Sequence, residues 1–211
     1  FAGNRHFKNG AVLFFGKRPG KFFEWATTRC TLFKGTDKGH IIDDKIFDGN
    51  LTSQYDEALK YIYSKMNVEY EIKDAGPRKE IWEIPDVALK EALLNALTHR
   101  DYYERGARTT IGIFDDRIEI ANPGGLVHSI PKADFGKRSL SRNSLIFGLF
   151  LRLNMVEQIG SGISRMKKAM ADAKLEAPVF TLEGMFSVTF FRPISIERLI
   201  ETYWDPYINS S

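Results

Sequence analysis

A two-layer α/β sandwich with mixed, mostly antiparallel strands is the fold class this sequence predicts. β-prone runs come in pairs joined by short turns. Helix-period segments fall between those pairs without the regular strand–helix–strand alternation of a doubly wound sheet. Size agrees: 211 residues, 43% hydrophobic and 27% charged, suit one large soluble domain with attached fragments. No apolar run approaches the roughly 18 residues of a membrane-spanning helix.

Taken in order, Ala11–Phe15 and Thr28–Phe33 are apolar, β-prone runs on either side of the turn Gly16-Lys-Arg-Pro-Gly20, and both read as strands. Leu51 to Met66 carries Tyr55, Leu59, Ile62 and Tyr63 at helical spacing. Val68–Ile72 and Glu80–Ile84 flank Asp74-Ala-Gly-Pro77 and read as a hairpin. Pro85 suits the first turn of a helix, where its missing N–H is not needed, and Asp86 suits the positive end of the helix dipole, so a helix is expected from there to about Asp101. Ala107–Phe114 and Arg117–Ala121, joined at Asp115-Asp116, form a second hairpin. Leu145–Leu153 and Ile163–Leu175 are helices, Val179–Leu182 and Phe186–Phe191 a last strand pair around Glu183-Gly184, and Ile196–Trp204 an amphipathic linker helix.

Charge is polarised along the chain. Residues 1–40 hold Arg5, Lys8, Lys17, Arg18, Lys21, Arg29, Lys34 and Lys38 against Glu24 and Asp37, a net +6 inside a total of +3. Such an end either attracts phosphate backbones or is an ordinary solvated surface. The single cysteine, Cys30, lies in an apolar run and reads as a buried reduced thiol. His6, His40, His99 and His128 show no metal-ligand spacing, so a structural zinc is not expected. A P-loop motor is excluded, because no Gly-x-x-x-x-Gly-Lys-Ser/Thr occurs. The start at Phe1, without a signal pattern, reads as a fragment rather than a complete secreted precursor, and a cytoplasmic location is expected.

Three short motifs follow one another. Glu91 and Asn95 stand at i and i+4 of the helix after Pro85, so both side chains reach one point. A carboxylate there can polarise water, and an amide oxygen can ligate magnesium; the same pair also occurs as a solvated pair on many helices. Asn122-Pro123-Gly124-Gly125 follows a strand directly, and its glycines permit positive φ and close approach of a flat ring, or simply end a hairpin strand. Gly160-Ser161-Gly162 opens a helix, where exposed N–H groups and the dipole favour phosphate, and where Ser161 could equally be a plain N-cap. Between the glycine turns, residues 128–159 hold Lys132, Lys137, Arg138 and Arg142, a basic stretch suited to closing over a triphosphate as a lid or to an ordinary surface loop. His99 continues the Glu91–Asn95 strip approximately and could touch the same point.

In this order the motifs resemble the GHKL superfamily of ATP-binding domains, with its Glu-x-x-x-Asn N box and two following glycine boxes. More narrowly, Lys90–Tyr102, Asp116–Leu126, Ser141-Arg-Asn143 and Glu157–Ile163 resemble bacterial RecG-related transcriptional regulators, a match over about residues 85–192. Upstream, Arg29–Asp37 and Ile42–Leu51 resemble the same proteins, in which they follow a Schlafen AlbA-like DNA-binding domain. The resemblance implies that residues 1–24 are the end of such a domain, that 25–193 are a GHKL-type sandwich with its helices on one face, and that 194–211 are a linker. It implies ATP and magnesium as ligands, Glu91 as the water-activating base and Asn95 as the magnesium ligand. Asn122 would stand where most of the superfamily has an aspartate reading the adenine amino group. Gly124 and Gly125 would face the base, Gly160, Ser161 and Gly162 the phosphates with Arg142 from the lid, and Thr189 would reach the base through water. A slow ATPase that couples nucleotide state to DNA binding by neighbouring domains, as a homodimer, is one expectation. A catalytically inactive interaction or dimerisation module of a DNA-binding regulator is the other. No helicase motif accompanies the RecG label.

Overall fold

The computed structural model describes residues 8–71, 79–127, 129–137, 140–156 and 161–193. Its elements run α1 (Asn9–Phe15), β1 (Thr28–Phe33), β2 (Ile41–Phe47), α2 (Leu51–Tyr63), β3 (Val68–Glu71), β4 (Lys79–Trp82), α3 (Asp86–His99), β5 (Thr109–Ile113), β6 (Arg117–Pro123), α4 (Ser144–Arg152), α5 (Gly162–Asp172), β7 (Val179–Thr181) and β8 (Met185–Phe191). Six strands form one sheet in the order β2-β1-β5-β6-β8-β7, and β3 pairs with β4 as a separate antiparallel hairpin. Within the main sheet only β1 and β5 are parallel. Mixed and mostly antiparallel, it is the expected fold class. The linker helix expected over Ile196–Trp204 lies outside the described residues.

One face of the sheet is apolar because alternate residues point the same way along each strand. Cys30, Ile111, Ile113, Ile118, Ile120, Val188 and Phe190 are all buried in the common core with residues of α2, α3 and α5. The other face is polar. It carries the Arg29–Asp44 and Arg117–Glu119 ion pairs and a stack in which Phe33 lies on Phe114, with the Arg117 guanidinium 4.0 Å from the Phe114 ring. The Cys30 thiol is fully buried, and that burial pushes its pKa up, as expected of an inert core cysteine.

α3 is the central helix. Ala88, Leu89, Ala92, Leu93, Leu94, Ala96 and Leu97 are buried around most of its circumference, the pattern of a helix covered on several sides. It packs on β6, α2 and α5. Its C-terminal end is fixed by buried Arg100, which donates to the carbonyls of Trp25, Asp101 and Ala107.

Two local expectations change. Residues 9–15, read partly as a strand, form helix α1, and Leu13 and Phe14 both enter the common core, with Phe14 edge-on to Phe150 at 4.9 Å. Adjacent residues of a strand face opposite ways, whereas neighbours on a helix stand about 100° apart, so one wide apolar face of the helix takes both into the same core. Strand β2 has no counterpart in the sequence reading. Its Asp43 and Asp44 interrupt any apolar alternation, and Asp44 joins the sheet by accepting from Arg29 and Thr31.

Candidate functional site

The fold brings the three motifs to one cleft. Glu91, Asn95 and His99 of α3 line it from one side, Asn122, Gly124 and Gly125 from the end of β6, and Ser161, Gly162 and Arg165 from the start of α5. The cleft encloses about 1050 Å³ including its open mouth, and Phe180, Phe186 and Val188 contribute to its apolar wall. β6 delivers Asn122 because Ile118, Ile120 and Asn122 share the buried face of the strand. α5 delivers its first turn because it packs along α3 with Met166 and Met170 buried.

At one end Glu91, 9% exposed, accepts from Asn95 Nδ2 at 3.2 Å, which leaves the Asn95 carbonyl oxygen as that amide's acceptor. Arg165 Nη1 lies 3.8 Å from the other carboxylate oxygen. Gly162 is required here by close approach: a Cβ on it would stand 2.0 Å from Glu91 Oε1. The carboxylate therefore abuts the amide end of α5, where the helix dipole favours negative charge.

Two helical turns farther along α3, about 12 Å by helix rise, the cleft is neutral. Asn122 is 1% exposed; its Nδ2 donates to the Pro123 carbonyl, and its Oδ1 is buried without a partner. A buried acceptor with no donor is destabilising by roughly 1–3 kcal/mol, so this atom is where a ligand N–H would be rewarded. Gly124 adopts φ +92°, and a Cβ there would crowd Asp101 Cβ at 3.0 Å and the Arg142 guanidinium. His99 is held neutral: burial, and next the charge of Arg142, lower its pKa from 6.5 to about 4.

Not every expected residue faces the cleft. Arg142 turns back to the protein, donating to the Gly125 carbonyl at 2.8 Å and lying 3.5 Å from Asp101. Its neighbour Asn143 donates to the carbonyls of Thr98 and Arg100, so this segment clasps the end of α3. Thr189 does not line the cleft. It pairs with Glu119, and strand alternation puts both on the polar face, opposite Val188 and Phe190. Gly160, His128 and Arg138 lie outside the described residues. The segment expected as a lid contributes apolar residues to the cleft, among them Ile130, Phe135 and Leu140, while Lys132 pairs outward with Glu183. Arg165 is absent from the sequence reading, although its position three residues after Gly162 marks it as a first-turn side chain. Among the described residues no group of three or more His, Cys, Asp or Glu side chains could hold a metal by itself.

Comparison with known proteins adds an independent line. Residues 106–190 match the family described as "Putative ATP-dependent DNA helicase recG C-terminal". The chain thus contains an ATPase-like region related to that family. No curated protein matches it. Among solved structures, the crystal structure of the DIP2311 protein from Corynebacterium diphtheriae is similar, with a TM-score of 0.71 and 21% identity over 88% of this chain. The chain spans 38% of that protein's length, and the likeness concerns the fold. No described helix is long and apolar enough to cross a membrane.

Proposed function

We propose that the cleft binds magnesium-ATP and that the domain hydrolyses it slowly, within a DNA-associated regulator whose DNA contacts lie largely in flanking domains. The observation that carries this reading is the convergence of Glu91 and Asn95, Asn122 and its glycine turn, and the start of α5 on one cleft. The residues fit the ligand: Asn122 Oδ1 is an unpartnered acceptor for an exocyclic amine, and the amide end of α5 suits phosphate. Asn122 is uncharged, so its selectivity rests on hydrogen-bond direction: Nδ2 donates to the Pro123 carbonyl, and the group left without a partner is the acceptor Oδ1.

In turnover, Glu91 would accept the proton of the attacking water, and Asn95 holds that carboxylate in place through Nδ2 and would hold magnesium through its side-chain oxygen. Held there, magnesium would supply screening of the phosphate charge. The apolar residues of the segment between the glycine turns exclude water around the ring.

Thermal unfolding with and without magnesium-ATP tests the reading, with Asn95→Ala as control. At about 100 times its dissociation constant, a ligand adds roughly 2.7 kcal/mol to the folded state, a rise of several degrees. The rise should need magnesium and vanish in Asn95→Ala; no rise at millimolar ATP would leave a non-catalytic interaction module. For the basic N-terminal residues, duplex DNA binding that weakens as salt increases is the expected result of a mobility assay.

A further inference from the structure

We infer that Arg165 is a specificity residue that reads the charge of the ligand's phosphate end, exchanging its present partner Glu91 for phosphate oxygens when the cleft fills; this rests on the nucleotide reading above. α5 begins with positive dipole charge, and Arg165, at the end of its first turn, adds a full positive charge where a cation is ordinarily unfavourable. No acidic residue of α5 lies in that turn. One anion beside it comes from another helix. Glu91 presents one oxygen to Gly162 and the other to Arg165 Nη1 at 3.8 Å. That distance is longer than a charge-assisted hydrogen bond, and the Arg165 side chain is 33% exposed, so its guanidinium is accessible from the cleft. A second observation marks the cleft as a ligand site: the buried, unpartnered Asn122 Oδ1 at its other end.

The chain's own carboxylate therefore stands where a polyphosphate would stand, and the two compete for one positive centre. Two consequences follow. Affinity should rise with the number of phosphates on the ligand through Arg165, because a planar guanidinium pairs bidentately with phosphate oxygens. Nucleotide binding without magnesium should be weak, because Glu91 repels the phosphates unless a cation lies between them.

Calorimetric titration of the parent, Arg165→Gln and Arg165→Lys with ATP, ADP and adenosine tests the assignment. Arg165→Gln should weaken ATP about tenfold or more, ADP less, and adenosine not at all, while Arg165→Lys, which keeps the charge and loses the planar fork, recovers only part of the ATP affinity. Glu91→Gln should tighten ATP measured in chelator relative to the parent. Equal weakening of ATP and adenosine in Arg165→Gln would mean a structural role, and unchanged ATP affinity would remove Arg165 from the site; either overturns the inference and leaves the nucleotide reading standing. A parent that binds none of the three ligands would overturn both.

Discussion

At the Asn122 end of the cleft, formal charge is neutralised or turned away, whereas at the Glu91 end it is retained and paired across two helices. His99 is held neutral, Arg142 is engaged by the Gly125 carbonyl and Asp101, and the buried amide of Asn122 carries no charge. Eight residues away along α3, Glu91 and Arg165 face each other at the start of α5. The difference shows how one helix can serve both ends of an amphiphilic ligand. A polar strip of side chains at i, i+4 and i+8 passes from an anion-handling turn to a ring-handling turn, and the surroundings of each turn set its charge.

That contrast can be broken at either end. The largest effect is expected at the charged end: Glu91→Ala should keep nucleotide binding and reduce phosphate release at least about 100-fold, read in a single-turnover assay. Equal turnover in mutant and parent would remove Glu91 from the mechanism. At the neutral end, Gly124→Ala forces a side chain into the left-handed region and against Asp101; it should lower stability by about 1–3 kcal/mol, seen as a drop of several degrees on heating, and weaken adenosine binding.

His99 offers a pH test. Its folded-state pKa lies below the unfolded value, so below about 6.5 the unfolded chain takes up the proton first. Its contribution is complete above 6.5 and is lost as pH falls toward about 4, by something on the order of 2 kcal/mol for this partly exposed ring. Denaturant unfolding should show that loss in the parent and a flatter profile in His99→Gln; parallel profiles would mean that His99 titrates alike in both states. Thr189→Val should have the smallest effect, within about 0.5 kcal/mol in stability and with unchanged nucleotide affinity, because residue 189 lies on the face away from the cleft.

Much of the fold was legible because its signals are local. The hairpins, α2, α3 and the last strand pair follow from periodicity, turn residues and Pro85, all within a few residues of one another. The errors fall where local pattern is ambiguous. A short apolar run such as residues 11–15 is compatible with strand or helix until something packs on it, here Phe150. The edge strand β2 holds through pairing with β1 and through Asp44, features invisible in its own composition. Thr189 is a parity error: its strand was legible, but which of its two faces meets the helices was not.

By itself the sequence determined that Glu91, Asn95 and, more loosely, His99 share a strip, and that glycine turns follow a strand and open a helix, since helical and strand periods alone fix such relations. Only the tertiary structure decided that these pieces line one cleft, that Arg142 turns inward while Arg165 joins the site, and that the Asn122 carbonyl oxygen stays unpartnered. Those outcomes depend on the packing of α5 along α3 and on the end of β6 meeting the end of α3. They join residues tens of positions apart, and no spacing rule reaches that far.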